Sequence, residues 1–354
     1  MKKNNPATKE NYPGQRMVEL DALRGLSAIS VLLFHYTTFY GIAFPFSGNP
    51  PFYFPWGPYR LQTFFLISGF AILMIIEKTE RPLDFVVSRF SRLYPCYFIS
   101  VILTASLLIL FPLNTDFPLP GKVVTWPMFI ANLTMLQSWL HYDHVNGVFW
   151  FLAPEISFYV IICLFLALKK LKYIEGLGLL GLILVVLNAR HGSVGPFEIS
   201  NFIMNSRILC FWQYFFAGIL FYNLKTKEDA WWRHAGLALC FIVQNVISDN
   251  ILTVICFAAC LLLFYLFVYG KLSWIARKPL LFLGTISYSL YLVHQNIGYM
   301  MILCLHKIGA WTWLCFIIPT ILSILIATAM TYFIEKPAMK FIRAKYKEWR
   351  WRRF

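Results

Sequence analysis

The sequence predicts an all-α membrane protein, a polytopic bundle of about ten transmembrane helices. Of its 354 residues, 59% are hydrophobic and only 13% are charged, whereas soluble domains carry about 25% charged residues. The length accommodates on the order of ten helices of about 20 apolar residues each. Tryptophan and tyrosine concentrate near the ends of the apolar segments, as interfacial anchors do. This composition excludes a disordered chain and argues against a water-soluble enzyme.

Apolar segments suited to crossing a membrane occur at ten places along the chain. Several are short for a hydrocarbon core of about 30 Å and require tilt or support from neighbouring helices. A further segment, 124–140, is less apolar because it contains Pro127, Asn132 and Gln137. The ten predicted spans are 22–41, 61–77, 94–112, 148–168, 174–189, 207–224, 234–248, 251–269, 281–304 and 312–334.

The distribution of basic residues decides how these spans are oriented. If 124–140 does not cross the membrane, 26 Lys and Arg residues fall on one side and five on the other. Because basic residues concentrate on the cytoplasmic side, both termini are predicted to be cytoplasmic. The segment 124–140 is then an interfacial or re-entrant helix in an outer loop, 113–147. Residues 1–21 form a cytoplasmic tail, 22–334 the membrane domain, and 335–354 a basic tail expected to contact anionic lipid.

Charge and cysteine content exclude several other functions. The formal net charge of +15 would suggest nucleic acid in a soluble protein, but here it follows the positive-inside pattern, and no nucleic-acid partner is expected. The eight cysteines form no C-x-x-C motif, so neither a zinc site nor a disulfide framework is predicted. The sequence HYDH at 141–144 offers metal ligands, but no fourth ligand accompanies it at a suitable spacing. We interpret it as a solvated loop and predict no metal.

Ionisable residues inside membrane spans are functional candidates by default. The first span contains Arg24 near its cytoplasmic end and His35 toward its outer end. Eleven residues correspond to three helical turns plus about 20°, so both side chains occupy one face, about 16 Å apart along the axis. An imidazole in an apolar span suits proton transfer.

Two other spans carry polar groups at the depth of His35. Glu155, the only carboxylate well inside a predicted span, lies about 10 Å below the outer boundary, and His35 lies about 9 Å below it. His294 lies at a similar depth and shares a helix face with Ser287 and Tyr291, because the steps are three and four residues. The sequence therefore predicts a shared polar site of His35, Glu155 and His294 in the outer half of the membrane.

A second predicted group of polar residues lies near the cytoplasmic side of the membrane. Arg89 and Arg92 occur at the entrance to the span 94–112. Together with Arg24 they offer planar guanidinium groups, which suit phosphate. In the span 61–77, Ser68 and its neighbouring glycine allow close helix approach.

These residues lie in motifs that resemble the acyltransferase 3 family of integral membrane acyltransferases. The resemblance runs from residue 19 to residue 337, in the order of the family, and the family's usual form has ten spans with cytoplasmic termini. This chain looks like a stand-alone member. The matching segments are ELDALRGLSAISVLLFHY, FFLISGF, SRFSRLYP, FWFLAPEISFY, GTISYSLYLVHQ and YFIEKP.

The resemblance implies transfer of an acyl group, commonly acetyl, from cytoplasmic acyl-CoA to a hydroxyl of a surface glycan, lipid-linked sugar or exopolysaccharide. Arg24 and His35 fall on the family's essential pair. We expect Arg24, Arg89 and Arg92 to bind the phosphates of acyl-CoA, with His35 and Glu155 as catalytic residues. Acyl-CoA is then a co-substrate and no cofactor is permanently bound. The candidate acceptor or acyl-site residues are Ser68, Trp150, Ser287, Tyr291 and His294.

The same polar residues are also compatible with other membrane functions. A transporter of acylated sugars or small carboxylates is the main alternative, and a channel or a structural membrane protein comes third. The arginines on one side favour an anchored acyl-CoA, and no inverted sequence repeat indicates alternating access. We expect the protein in a cell membrane, a bacterial inner membrane.

Overall fold

The computed structural model describes residues 17–45, 49–112, 123–191 and 207–353. Across these ranges all regular elements are helices. We number the main helices α1 Val18–Ala43, α2 Leu61–Ile76, α3 Pro82–Leu110, α4 Trp126–Leu133, α5 Leu152–Ala167, α6 Ile174–His191, α7 Ile208–Thr226, α8 Trp231–Ile247, α9 Ile251–Val268, α10 Lys278–Lys307, α11 Thr312–Ala329 and α12 Lys336–Arg353.

This architecture confirms the predicted all-α polytopic membrane bundle. Seven helical segments of the described chain are long and apolar enough to cross a membrane. The helices α7, α8 and α10 coincide with three further predicted spans, but α8 has only 17 residues and α7 carries buried Gln213 and Asn223. The count of ten spans and the cytoplasmic position of both termini stay predictions.

The segment 124–140 contains only the short helix α4. Eight residues are about 12 Å long at 1.5 Å per residue, too short to cross a bilayer. The chain after α4 is held by buried side chains: Asn132 Nδ2 donates to the Asp143 carbonyl at 2.8 Å, and Gln137 Nε2 lies 3.0 Å from His144 Nδ1. Burial lowers the pKa of His144 to about 4, so its ring stays neutral at pH 7. Residues 113–122 of the outer loop lie outside the described residues.

Paired glycines bring the site-bearing helices together. Side-chain atoms at Gly25 or Gly284 would collide with the backbone of the facing helix, α10 or α1 respectively. Side-chain atoms at Gly69 or Gly218 would likewise collide with the backbone of the facing helix, α7 or α2 respectively. This contact agrees with the expected close approach of helices around Ser68. Small residues at such crossings let backbones pack in direct contact. The face of α1 that carries Arg24 and His35 is therefore held against α10.

The basic tail continues the last membrane helix. A π-helical turn, Met330–Glu335, joins α11 to α12 without a break. Helix α12 packs on the first turns of α3, where Tyr346 donates to Asp84 at 2.6 Å and Arg350 pairs with the same carboxylate at 3.2 Å. One face of the tail thus contacts protein. Contact of its remaining surface with anionic lipid stays a prediction.

Candidate active site

Three arginines, a glutamate and several hydroxyl groups line one cavity between α1, α2, α3, α5 and α10. Its volume is about 100 Å³, well below the ~300–1,000 Å³ of typical small-molecule pockets. A cavity of this size accepts a slender chain rather than a large ring system. Its polar lining residues are Arg24, Ser68, Arg89, Arg92, Glu155, Tyr159, Ser287, Tyr288 and Tyr291.

Arg24 and Arg89 bring positive charge to this cavity. Arg24 lies 3.5 Å from Asp21, one helical turn away. The Arg89 guanidinium lies 5.9 Å from the centre of the Tyr159 ring, and its Nε is buried without a hydrogen-bond partner among the described residues. A buried donor without a partner is costly, so the Arg89 Nε–H is suited to an acceptor atom supplied by a ligand.

Arg92 has a partner that the sequence analysis missed. It forms an ion pair with Glu335, whose buried carboxylate also accepts a hydrogen bond of 3.2 Å from Ser289 Oγ. The sequence analysis counted Glu155, which is half-buried, as the only carboxylate well inside a span, and the structure adds Glu335, which is fully buried. The available signal was its position directly after an apolar run, in YFIEKP.

Arg89 and Arg92 lie in a helix that extends beyond the predicted span 94–112. Helix α3 begins at Pro82, twelve residues before the predicted span 94–112. At 1.5 Å per residue, Arg89 and Arg92 lie about 10 and 15 Å inside the helix. The predicted span did not include these turns because Asp84, Ser88 and Arg89 interrupt their apolar residues.

Glu155 belongs to the arginine cavity, which His35 does not line. Its carboxylate accepts hydrogen bonds from Ser68 Oγ at 3.1 Å and from the Tyr159 hydroxyl. Neither His35 nor His294 lines this cavity, so the structure does not bring Glu155 and the two histidines into one cavity, and their shared site stays a prediction. The 3₁₀ turn Gly147–Phe151 before α5 rises about 2.0 Å per residue, which carries Glu155 deeper than α-helical spacing implies.

The two histidines form a centre of their own between α1 and α10. His35 Nδ1 lies 2.9 Å from His294 Nε2, and the ring centroids are 4.9 Å apart. His35 is the first residue of a π-helical turn, His35–Phe39, a distortion that occurs frequently at functional sites. His294 is 1% exposed, whereas His35 is only partly buried.

The hydrogen bonds assign the tautomers of this pair. His294 Nδ1 lies 3.0 and 2.9 Å from the carbonyls of Leu290 and Tyr291. Carbonyls only accept, so this nitrogen carries the proton and His294 Nε2 is an acceptor. His35 Nδ1 then faces two acceptors, His294 Nε2 and the Val31 carbonyl at 3.1 Å, and carries a proton itself. The remaining His35 nitrogen, Nε2, is left with a free lone pair.

Most of the other candidate residues belong to the arginine cavity or to the histidine pair. Ser287 and Tyr291 line the arginine cavity, as Ser68 does. The Tyr291 ring lies 5.8 Å from the His294 ring, so α10 connects the cavity with the histidine pair. Trp150 does not line the cavity; its ring packs 5.6 Å from Phe211. No group of metal ligands occurs within the described ranges.

Two polar side chains near the histidine pair were not identified from the sequence. The Tyr299 ring centroid lies 6.4 Å from that of His35, and Gln295 directly follows His294. Both side chains are buried. In the described part of the chain, the Tyr299 hydroxyl and Gln295 Oε1 lack hydrogen-bond partners. A polar substrate could supply partners to both groups.

Comparison with known proteins gives two curated relatives. Nodulation protein 10 of Rhizobium leguminosarum bv. viciae is 25% identical over 368 aligned positions, which cover 94% of this chain and 96% of the relative. Acyltransferase MdmB of Streptomyces mycarofaciens is 29% identical over 108 positions, 29% of this chain and 27% of the relative. No solved structure matches.

A family model supplies the broader match. The model of the acyltransferase domain Acyl_transf_3 matches residues 17–332, a range that includes the arginine cavity and both histidines. The match covers most of the chain and includes every site residue described above except Glu335. The chain is therefore a membrane acyltransferase and belongs to the acyltransferase 3 family.

Proposed function

We propose that this enzyme transfers an acyl group, acetyl in the simplest case, from cytoplasmic acyl-CoA to a hydroxyl of a surface glycan, lipid-linked sugar or exopolysaccharide. The observation that carries the proposal is the His35–His294 pair, in which His35 Nε2 is left unprotonated. We place the enzyme in a bacterial inner membrane, with the thioester entering from the cytoplasm and the hydroxyl from outside.

The donor is assigned to the arginine cavity. Its small volume suits the thin pantetheine arm, and Arg24 and Arg89 face the part of acyl-CoA that carries phosphate. Glu155 accepts from Ser68 and Tyr159, and its remaining lone pairs suit an amide N–H of that arm. Glu155 therefore orients the donor, whereas the sequence analysis assigned it to the deep site.

The acceptor hydroxyl is assigned to His35. His35 Nε2 takes the hydroxyl proton, the oxygen attacks the thioester carbonyl, and the carbon–sulfur bond breaks. The CoA thiolate then receives the proton from the His35 imidazolium. A covalent acyl-histidine route would use the same nitrogen as nucleophile, and both routes require Nε2 to be free. Gln295 and Tyr299 are suited to hydrogen-bond the sugar.

Family membership favours an enzyme over the transporter that the sequence left as the alternative. The one-sided arginine cavity agrees with that choice. A transporter would move its substrate without consuming acyl-CoA, so release of free CoA thiol separates the two functions directly.

The test is acyl transfer by purified protein carrying His35→Gln. An amide has no useful basicity near neutral pH, so we expect transfer to fall at least ~10²-fold, with acetyl-CoA binding retained. His306→Gln is the matched control, because His306 lies on α10 but packs against Tyr40, at a ring distance of 6.0 Å. We expect this control to keep activity. Near-normal transfer by a monodisperse His35→Gln protein would refute the mechanism.

A further inference from the structure

A second cavity lies between the start of α3 and the tail helix α12. Its volume is about 650 Å³, within the range of small-molecule pockets. Arg81, Arg343, Lys347 and Arg350 line it together with one carboxylate, Asp84, so the formal charge of the lining is +3. The family model ends at residue 332 and does not include α12.

The basic groups of this cavity are incompletely neutralised. Arg350 is paired with Asp84 at 3.2 Å and with Glu80 at 3.6 Å. Arg343 bonds only uncharged groups, Ser91 Oγ at 3.0 Å and the Ser88 carbonyl at 3.2 Å. Lys347 is exposed. The lining therefore carries an excess of positive charge, which favours an anion.

The cavity is next to the arginine cavity on the same helix. Ser88 lines the α12 cavity and Arg89 lines the arginine cavity. The positive charge of Arg343 is close enough to interact unfavourably with Arg89 and Arg92. Arg81 and Arg89 are eight residues apart, about 12 Å along α3. Two cavities with basic linings therefore lie next to each other along one helix.

We propose that the α12 cavity binds the 3′-phosphate and adenosine end of acyl-CoA. This inference rests on the proposed function. The 100 Å³ arginine cavity is too small for a nucleotide, and the larger cavity beside it offers basic groups and the exposed indole of Trp351, which suits stacking on a base. Acyl-CoA carries a diphosphate and a separate phosphomonoester, which match two anion sites; a phospholipid with one phosphate needs only one.

The test compares two donors, acetyl-CoA and 3′-dephospho-acetyl-CoA, with detergent-purified protein. We expect wild type to bind acetyl-CoA more tightly. Lys347→Ala should weaken acetyl-CoA binding about fivefold, the scale of an exposed ion pair, and leave dephospho-acetyl-CoA binding unchanged. Lys345→Ala is the matched control: it removes the same charge from the same helix, but Lys345 pairs with Glu348 at 3.0 Å and does not line the cavity.

The outcomes separate this inference from the proposed function. If wild type consumes acetyl-CoA but binds both donors equally, the assignment of the 3′-phosphate is wrong and the proposed function stands. If wild type neither binds nor consumes acetyl-CoA, both fail. A lipid-headgroup site is tested in vesicles with and without phosphatidylglycerol: activity that depends on this lipid, and loses that dependence in Lys347→Ala without donor discrimination, would overturn the proposal.

Discussion

The hydrogen bond between His35 and His294 determines which imidazole nitrogen is left to react. Sequence analysis placed both histidines at one depth, but it could not assign tautomers, because the Leu290 and Tyr291 carbonyls that hold His294 Nδ1 belong to the backbone. His294 is thus a positioning residue: it keeps the proton of His35 on Nδ1 and leaves Nε2 free.

This role predicts a graded response at position 294. In His294→Gln the amide oxygen still accepts from His35 Nδ1, so we expect about a tenfold loss of kcat. His294→Leu removes this acceptor and leaves His35 Nδ1 with the Val31 carbonyl alone, so we expect a larger loss, up to about 10²-fold. The KM for acetyl-CoA should not change in either variant, since His294 does not line the arginine cavity. A larger loss in His294→Gln than in His35→Gln would move the base to α10.

The depth of Glu155 below the outer membrane boundary cannot be obtained by counting residues alone. Counting residues from a predicted boundary gave His35 and Glu155 nearly equal depths, but it assumed α-helical rise throughout. The 3₁₀ turn before α5 and the π turn at His35 change the rise in opposite senses. Equal residue counts in two such spans therefore do not imply equal depths, and Glu155 lines the cavity that holds the arginines.

At the scale of helices, all ten predicted spans coincide with helices, because sustained apolar runs are the strongest signal in a membrane sequence. The helices differ from the predicted spans where a helix continues beyond the apolar run. Helix α3 starts earlier, at Pro82, and α11 continues through a π turn into α12. The two extensions pack on each other. Hydropathy along one segment does not reveal such pairing, since the contacts between the extensions are polar, from Arg343 to Ser88 and from Arg350 to Asp84.

The junction of these extensions is held by the ion pair between Arg92 and Glu335. Glu335→Ala removes the partner of a guanidinium that is 32% exposed, so we expect a destabilisation of about 1–3 kcal/mol, measured as a lower Tm in detergent. Glu348→Ala is the control, because its ion pair with Lys345 is exposed on both sides and worth little. Replacing Arg92 and Glu335 together by leucine should recover part of the loss, and equal Tm values for all variants would contradict the assignment.

At the scale of the whole molecule, the two chemical centres lie at opposite ends of one helix face. Arg24 and His35 are three turns apart on α1, whereas on α10 the cavity residues Ser287 and Tyr291 precede His294 by only seven and three residues. Under the proposed function, this arrangement would keep the thioester and the hydroxyl on separate routes until they meet. The sequence predicted the position of Arg24 and His35 on one helix face from helical periodicity, whereas the side chains that contact them from other helices could be identified only from the structure.

Opposite routes require the predicted orientation, and cysteine labelling in intact cells tests it. In a background with the eight native cysteines replaced by alanine, Asn49→Cys should react with an impermeant thiol reagent from outside, because residue 49 is exposed and precedes α2. Thr226→Cys, at the exposed end of α7, should react only after permeabilisation, since its neighbours Lys225 and Lys227 belong to the basic side. Labelling of Thr226→Cys in intact cells, with Asn49→Cys protected, would place the arginine cavity outside, away from cytoplasmic acyl-CoA, and would overturn the donor assignment.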